Sequence, residues 1–483
     1  MRAFSSPRRI GAVILSAAVP ILGARQALAH ASEQGLVLLL PTDVYIASGA
    51  AAVALTVLLM AVLPERVLRV IFAAIRLVVL PKSRLPLVTS TLSALIFLAL
   101  VVGGLTGPRD PMENPLTLAV WTVFWICVLA VQGLVFDIWR WISPWRGPAA
   151  LIMRATGGRP LLRLSPRLGA APAILTFLGV ALFLMADPAP ADPARLAVVA
   201  GGYWLATLVA IGLFGPRWLL RGEGLSVLLR CYGRMSLLAR RGGRLHLGLW
   251  GWQVLKTRAP QGGLALFMLA ILGSGSFDGV NETFWWLQVL GINPLEFPGR
   301  SAVVWQNTLG LLAANALLVA VFALTLKLGL MLNRSDLGLG QAVRVFAPTV
   351  LPIALGYHIA HYYTALLVDG QYVLELLRDW AGALSHGLEH GLSHDHQGHV
   401  EPLAHLSVTT GFFNAPDTMR AIWLTQAGAV VLGHVVAVML AHAVALRVFG
   451  TNRRALLSQA PLALFMIGYT FFGLWLLASP RGV

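Results

Sequence analysis

Charge is scarce in this chain and cysteine nearly absent. Of 483 residues only 12% are Asp, Glu, Lys or Arg, and two are cysteine. Set against 57% hydrophobic residues and a mean hydropathy of +0.76, so little charge excludes an ordinary soluble domain. The two cysteines, Cys127 in an apolar run and Cys231 in a basic segment, exclude a disulfide framework. There is no Walker A motif, no nucleotide fingerprint and no separate soluble domain, which argues against an ATP-driven pump. No period of 20–50 residues repeats.

What the chain does have is apolar runs of membrane-spanning length. Arg2, Arg8 and Arg9 precede a short apolar stretch and the A-x-A site Ala27-Leu28-Ala29, so residues 1–29 read as a secretory signal peptide. Cleavage there makes His30 the first residue of a single transmembrane domain, 30–483. Ten spans are expected, near 44–63, 87–106, 116–136, 171–187, 196–215, 261–276, 302–325, 345–367, 419–446 and 457–478. The expected fold class is therefore all-α, a polytopic transmembrane helix bundle. With the mature N-terminus outside, Lys and Arg collect in the inner loops and Asp and Glu in the outer ones. That asymmetry predicts a bacterial inner-membrane protein with a periplasmic N-terminus. The formal charge of +16 is then a topology signal and not a nucleic-acid footprint. Basic segments such as 217–258 would face anionic lipid.

Four histidines lie inside these runs: His358 and His361 in the eighth, His434 and His442 in the ninth. An ionisable group in a lipid-embedded helix is costly, so it faces a bundle interior or a wet cavity and marks either a site or an interhelical bond. Histidine is also the commonest transition-metal ligand, and residues at i and i+3 share a helix face. Eight residues apart, His434 and His442 share a broad face, suited to a relay or to packing.

The outer loops carry most of the remaining unusual polar residues. Asp278 and Glu282 are four apart, and paired carboxylates ligate metal or exchange protons, as does a merely solvated turn. A His-rich periplasmic loop at about 369–418 contains His386, His390 and His394 at helical spacing, a compositional signal for Zn or Cu binding or buffering. An N-terminal His30 would offer an α-amine as well as an imidazole, and its convergence with His358 and His361 would make a three-ligand metal site with an open position. Asp278 and Asp369 are the nearest candidate proton acceptors.

In their order, several short motifs resemble a family of bacterial polytopic membrane proteins named fenitrothion hydrolase. They are His30-Ala31, Pro41, Tyr45, Trp121, Trp125, Asp137, Trp139, Pro144-Trp145, Phe277-Asp278-Gly279, Tyr357-His358-x-x-His361-Tyr362, Gly370-Gln371, Gly433-His434 and Ala441-His442. The resemblance covers most of the mature chain and implies hydrolysis of an organophosphorus ester with release of a phenol; it carries no assigned catalytic residues.

These readings leave three functions open: a metal-dependent hydrolase acting on a small-molecule ester, a copper or zinc transport or delivery protein, and a membrane subunit anchoring a partner. The hydrolase needs only the outer histidines. A transport path needs His434 and His442 as well.

Overall fold

In the computed structural model, residues 40–392 (except 80 and 82) and 408–481 are described, with backbone alone for 383–392. The expected signal peptide, His30 and His394 lie outside the described residues.

The protein is a helical membrane-spanning bundle. Lipid offers backbone groups no hydrogen bonds, so a span must satisfy them internally, and the long apolar runs form helices. Among the described residues, nine helical segments are long and apolar enough to cross a membrane. The principal helices are α1 (Thr42–Val62), α2 (Leu85–Thr106), α3 (Pro115–Leu134), α4 (Ala171–Ala186), α5 (Pro193–Phe214), α6 (Gly224–Tyr232), α7 (Gly262–Asn281), α8 (Val304–Leu332), α9 (Leu351–Leu392), α10 (Pro416–Phe449) and α11 (Asn452–Ala478). All ten expected spans are helical. The fourth, α4, has only 16 residues, about 24 Å at 1.5 Å per residue, and falls short of a hydrocarbon core of about 30 Å.

Burial sorts these helices into rings. Only 17% of the most apolar window of α2, and 22% of those of α1 and α5, is buried inside the protein, whereas the figures are 67% for α7 and α10 and 78% for the segment containing the start of α9. The outer helices turn Leu and Val outward, as lipid-facing surfaces must; the inner three hold the buried ionisable residues Asp278, His358, His361, His434 and His442. The densest packing joins α9 to α10. A Cβ on Gly356 would lie 2.5 Å from the Ala429 carbonyl oxygen, and one on Gly433 would lie 2.6 Å from that of Pro352. The two backbones touch because neither glycine carries a side chain, the usual device for close helix approach in lipid.

Three local features were not anticipated from sequence. The middle of α3, Leu118–Val128, winds as a π-helix, a rare geometry found mostly at functional sites. A small antiparallel sheet forms from β1 (Ala74–Val79), β2 (Leu238–Arg241) and β3 (Arg244–Gly248) in the order β1-β3-β2. Its hairpin turns on Gly242 and Gly243, at φ 55° and 76°, as a two-residue turn of matching twist requires. The sheet rests against the end of α3, where Leu238 N–H donates to the Val135 carbonyl at 2.9 Å. The third feature is Glu223, fully buried at the start of α6. It accepts from the Leu225 and Ser226 N–H groups, at 2.8 and 2.6 Å, and from the Tyr203 hydroxyl. Burial pushes its carboxyl above the usual carboxylate range, and these donors work against that shift.

Candidate metal centre

Asp278 sits in the last turn of α7 and Glu282 caps the helix end one turn later, so both carboxylates leave the same face. Against that face packs α9, which brings His361. One ligand atom from each of Asp278, Glu282 and His361 lies within 4.8 Å of the others, and this is the one such group of three or more among the described residues. His361 Nε2 is 3.4 Å from Asp278 Oδ2, with both side chains buried. Glu282 is 41% exposed and forms the mouth of the site.

Neighbouring side chains fix the two inner residues. The Tyr362 hydroxyl donates to Asp278 Oδ2 at 2.5 Å, a short charge-assisted bond that sets the carboxylate's rotation. The Tyr357 ring stacks on the His361 imidazole, with centroids 5.7 Å apart and planes at 18°. That stack depends on Gly279, because a Cβ there would fall 1.8 Å from the Tyr357 hydroxyl. Beyond the mouth, Arg481 pairs with Glu282 at 3.4 Å. It is held there by a bridge to Thr283 and by the Phe284 N–H bond to the Pro480 carbonyl at 2.9 Å.

Beneath the cluster lies a cavity of about 40 Å³, bordered by Trp125, Tyr232, Ser274, Tyr357, His358 and Tyr362. A water occupies about 10–15 Å³ on this measure, so the space suits a few waters and excludes an aryl ester. Trp125 Nε1, Tyr357 Oη and His361 Nδ1 are buried here without a hydrogen-bond partner. The cavity wall is mostly apolar, with Leu129, Phe177, Met185 and Ile271 among its lining, but buried polar groups are normally satisfied, and three orphans around one small cavity mark a place for a ligand or water.

The donors fit a divalent ion. Around a tetrahedral ion with bonds near 2.0–2.2 Å, ligand atoms stand about 3.3–3.6 Å apart. The Asp278–His361 separation of 3.4 Å already matches. Glu282 lies within 4.8 Å of both but is paired with Arg481.

The other sequence-derived residues fall elsewhere. His358 does not join the cluster: its Nε2 donates to the Trp125 carbonyl at 2.9 Å, in the π-helical stretch of α3. His434 bonds through Nδ1 to the Val430 carbonyl one turn back, at 2.8 Å, and its ring lies 6.3 Å from that of Tyr469, whose hydroxyl meets Ser276. His442 Nε2 pairs with Asn452 Oδ1 at 3.0 Å, and Asn452 in turn donates to the Ala61 carbonyl, tying the α10–α11 corner to α1. Asp369 is half-buried and engaged in contacts of its own, about 12 Å along α9 from His361 at 1.5 Å per residue. His386 and His390 lie on the final turns of α9.

The pairing of Asp278 with Glu282 was visible in the sequence from their spacing. The parts played by Tyr362 and Arg481 were not; the one hint was that Tyr362 adjoins His361. No family model matches the chain, and neither a curated protein nor a solved structure does. The chemistry therefore rests on the cluster itself.

Tyr362→Phe tests how far the site depends on an oriented carboxylate. Losing an outer hydrogen bond to a metal ligand costs about 10–100-fold in affinity. Equilibrium dialysis against zinc should show a loss of that size with unchanged stoichiometry. Unaltered affinity would mean that Asp278 needs no such orientation.

Proposed function

We propose that the chain is a multi-pass protein of the bacterial inner membrane whose Asp278–Glu282–His361 cluster faces the periplasm, holds a transition metal and hydrolyses an organophosphorus-type ester. The observation that carries this reading is the cluster: two carboxylates and an imidazole converge beside a half-exposed Glu282, through which a bound ion would be reached from solvent. Three protein ligands and an open position is the arrangement of hydrolytic metal sites, whereas structural sites are closed. Two oxygens and one nitrogen favour zinc over the cuprous ion, which prefers thiolate and thioether ligands. Such an ion acidifies water and polarises a phosphoryl oxygen. Tyr362 would hold Asp278 in its ligating rotamer, and the Tyr357 stack would hold the His361 ring. Asp369 is too distant for direct proton transfer, which needs about 2.6–3.2 Å. Because the inner cavity is only about 40 Å³, an ester must approach from the mouth.

The order of motifs resembling the fenitrothion hydrolase family supports the reaction class. Transport of copper or zinc is less well supported: His434 and His442 are each bonded locally, and neither belongs to a group of metal-ligand spacing among the described residues. Reconstituted protein loaded with zinc should release p-nitrophenol from a p-nitrophenyl phosphotriester, and His361→Ala should abolish the release. Zinc or copper flux into liposomes without any esterase activity would replace this reading with transport.

A further inference from the structure

Glu282 has two suitors. In the structure its carboxylate pairs with Arg481 at 3.4 Å, and it is also the third member of the metal group. A divalent ion bound there balances the charges of Asp278 and Glu282. Arg481 then loses its counter-charge, although its side chain is only 22% exposed and the strap to Thr283 and Phe284 keeps it beside the site. A guanidinium that is mostly withdrawn from water and unpaired is unfavourable, so metal loading creates a demand for an anion at that spot. The planar fork of arginine matches the oxygens of a phosphoryl group, and Arg481 stands 3.4 Å from Glu282, one of the three candidate ligands.

We infer that Arg481 is the anion-recognising residue of this site and that the site takes a phosphoryl or phosphonyl group bearing a negative charge, bridged between the metal and the Arg481 guanidinium. The inference rests on the metal reading of the Asp278–Glu282–His361 cluster and adds to its ester substrates an anionic ligand, of the kind that hydrolysis of a neutral phosphorus ester releases. Apo protein stores Arg481 on Glu282; metal and anion then enter together.

Two ligands that each favour the other must show reciprocal coupling, of about 5–150-fold in typical cases. The test is equilibrium dialysis of the purified full chain against micromolar zinc, with and without methylphosphonate. In wild type, methylphosphonate should tighten zinc binding at least about 5-fold. Complexation of zinc by free phosphonate works in the opposite direction and cannot imitate this. Arg481→Gln should keep one zinc per chain and lose the coupling; Arg481→Lys, with the charge but not the fork, should keep part of it. Stoichiometric zinc in wild type with no effect of methylphosphonate overturns the inference and leaves the metal reading standing, as does full coupling in a folded Arg481→Gln protein. Wild type that binds no zinc overturns both.

Discussion

Substituting His361 by alanine is expected to abolish stoichiometric metal binding, whereas substituting His358, three residues earlier on the same helix, is expected to preserve it. His361 supplies the only nitrogen of the cluster and stands 3.4 Å from Asp278. Since loss of a mere outer-shell partner costs about 10–100-fold, loss of a ligand should cost more than about 100-fold. Asp278→Asn should behave similarly, because an amide oxygen brings no charge to the ion. His358 instead donates to the Trp125 carbonyl and packs against the Tyr362 ring, at 5.0 Å between centroids. Removing it should change zinc affinity by less than about 10-fold, the lower end for outer-shell partners. Elemental analysis of monodisperse protein decides the matter. Equal loss in both variants would mean that His358 ligates the ion; equal retention would mean that the metal sits elsewhere, and deletion of 386–405 would then be the variant that removes it.

The contrast between these two histidines shows where sequence reasoning stops. Each residue of an α-helix turns by about 100°, so positions three apart share a face but point about 60° apart. Here that angle is enough to send His358 to α3 and His361 to α7. Which neighbour stands on each side is a matter of bundle packing, and packing between apolar helices leaves little periodic trace in a chain that is apolar throughout. The spans themselves were legible because hydrocarbon thickness and backbone satisfaction impose a length and composition that few other segments meet. Expected bounds of 196–215 and 419–446 correspond to Pro193–Phe214 and Pro416–Phe449. The far end of α9 was not legible. The apolar run ends near 367, but the helix continues to Leu392; no proline interrupts the stretch, although it holds Gly370, Gly382, Gly387 and Gly391. Arg481 was invisible for another reason: it lies 199 residues from Glu282, and only the fold brings them together. The Asp278–Glu282 pair was local, and local spacing was enough to find it.

Gly356→Leu should have the largest effect on stability. A Cβ at that position would stand 2.5 Å from the Ala429 carbonyl oxygen and 3.3 Å from the Cα of Gly433. Both are backbone atoms, so no rotamer change relieves the clash and α9 must separate from α10. Overpacking in cores costs about 1–3 kcal/mol and occasionally more. With backbone as the obstacle and the most extensive helix pair of the bundle involved, the loss should exceed about 3 kcal/mol. Gly428→Leu is the control: it lies on α10 itself, and nothing stands within 4 Å of its Cβ. It should leave the melting temperature in detergent unchanged or slightly raised, since leucine is the better helix former. His361 follows Gly356 by five residues, so separating α9 from α10 should also disturb the seat of His361 against α7. Gly356→Leu is therefore expected to lose metal together with its folded transition, where His361→Ala loses metal alone. A Gly356→Leu protein that melts like wild type and keeps its zinc would show that the α9–α10 crossing does not hold the metal site in place.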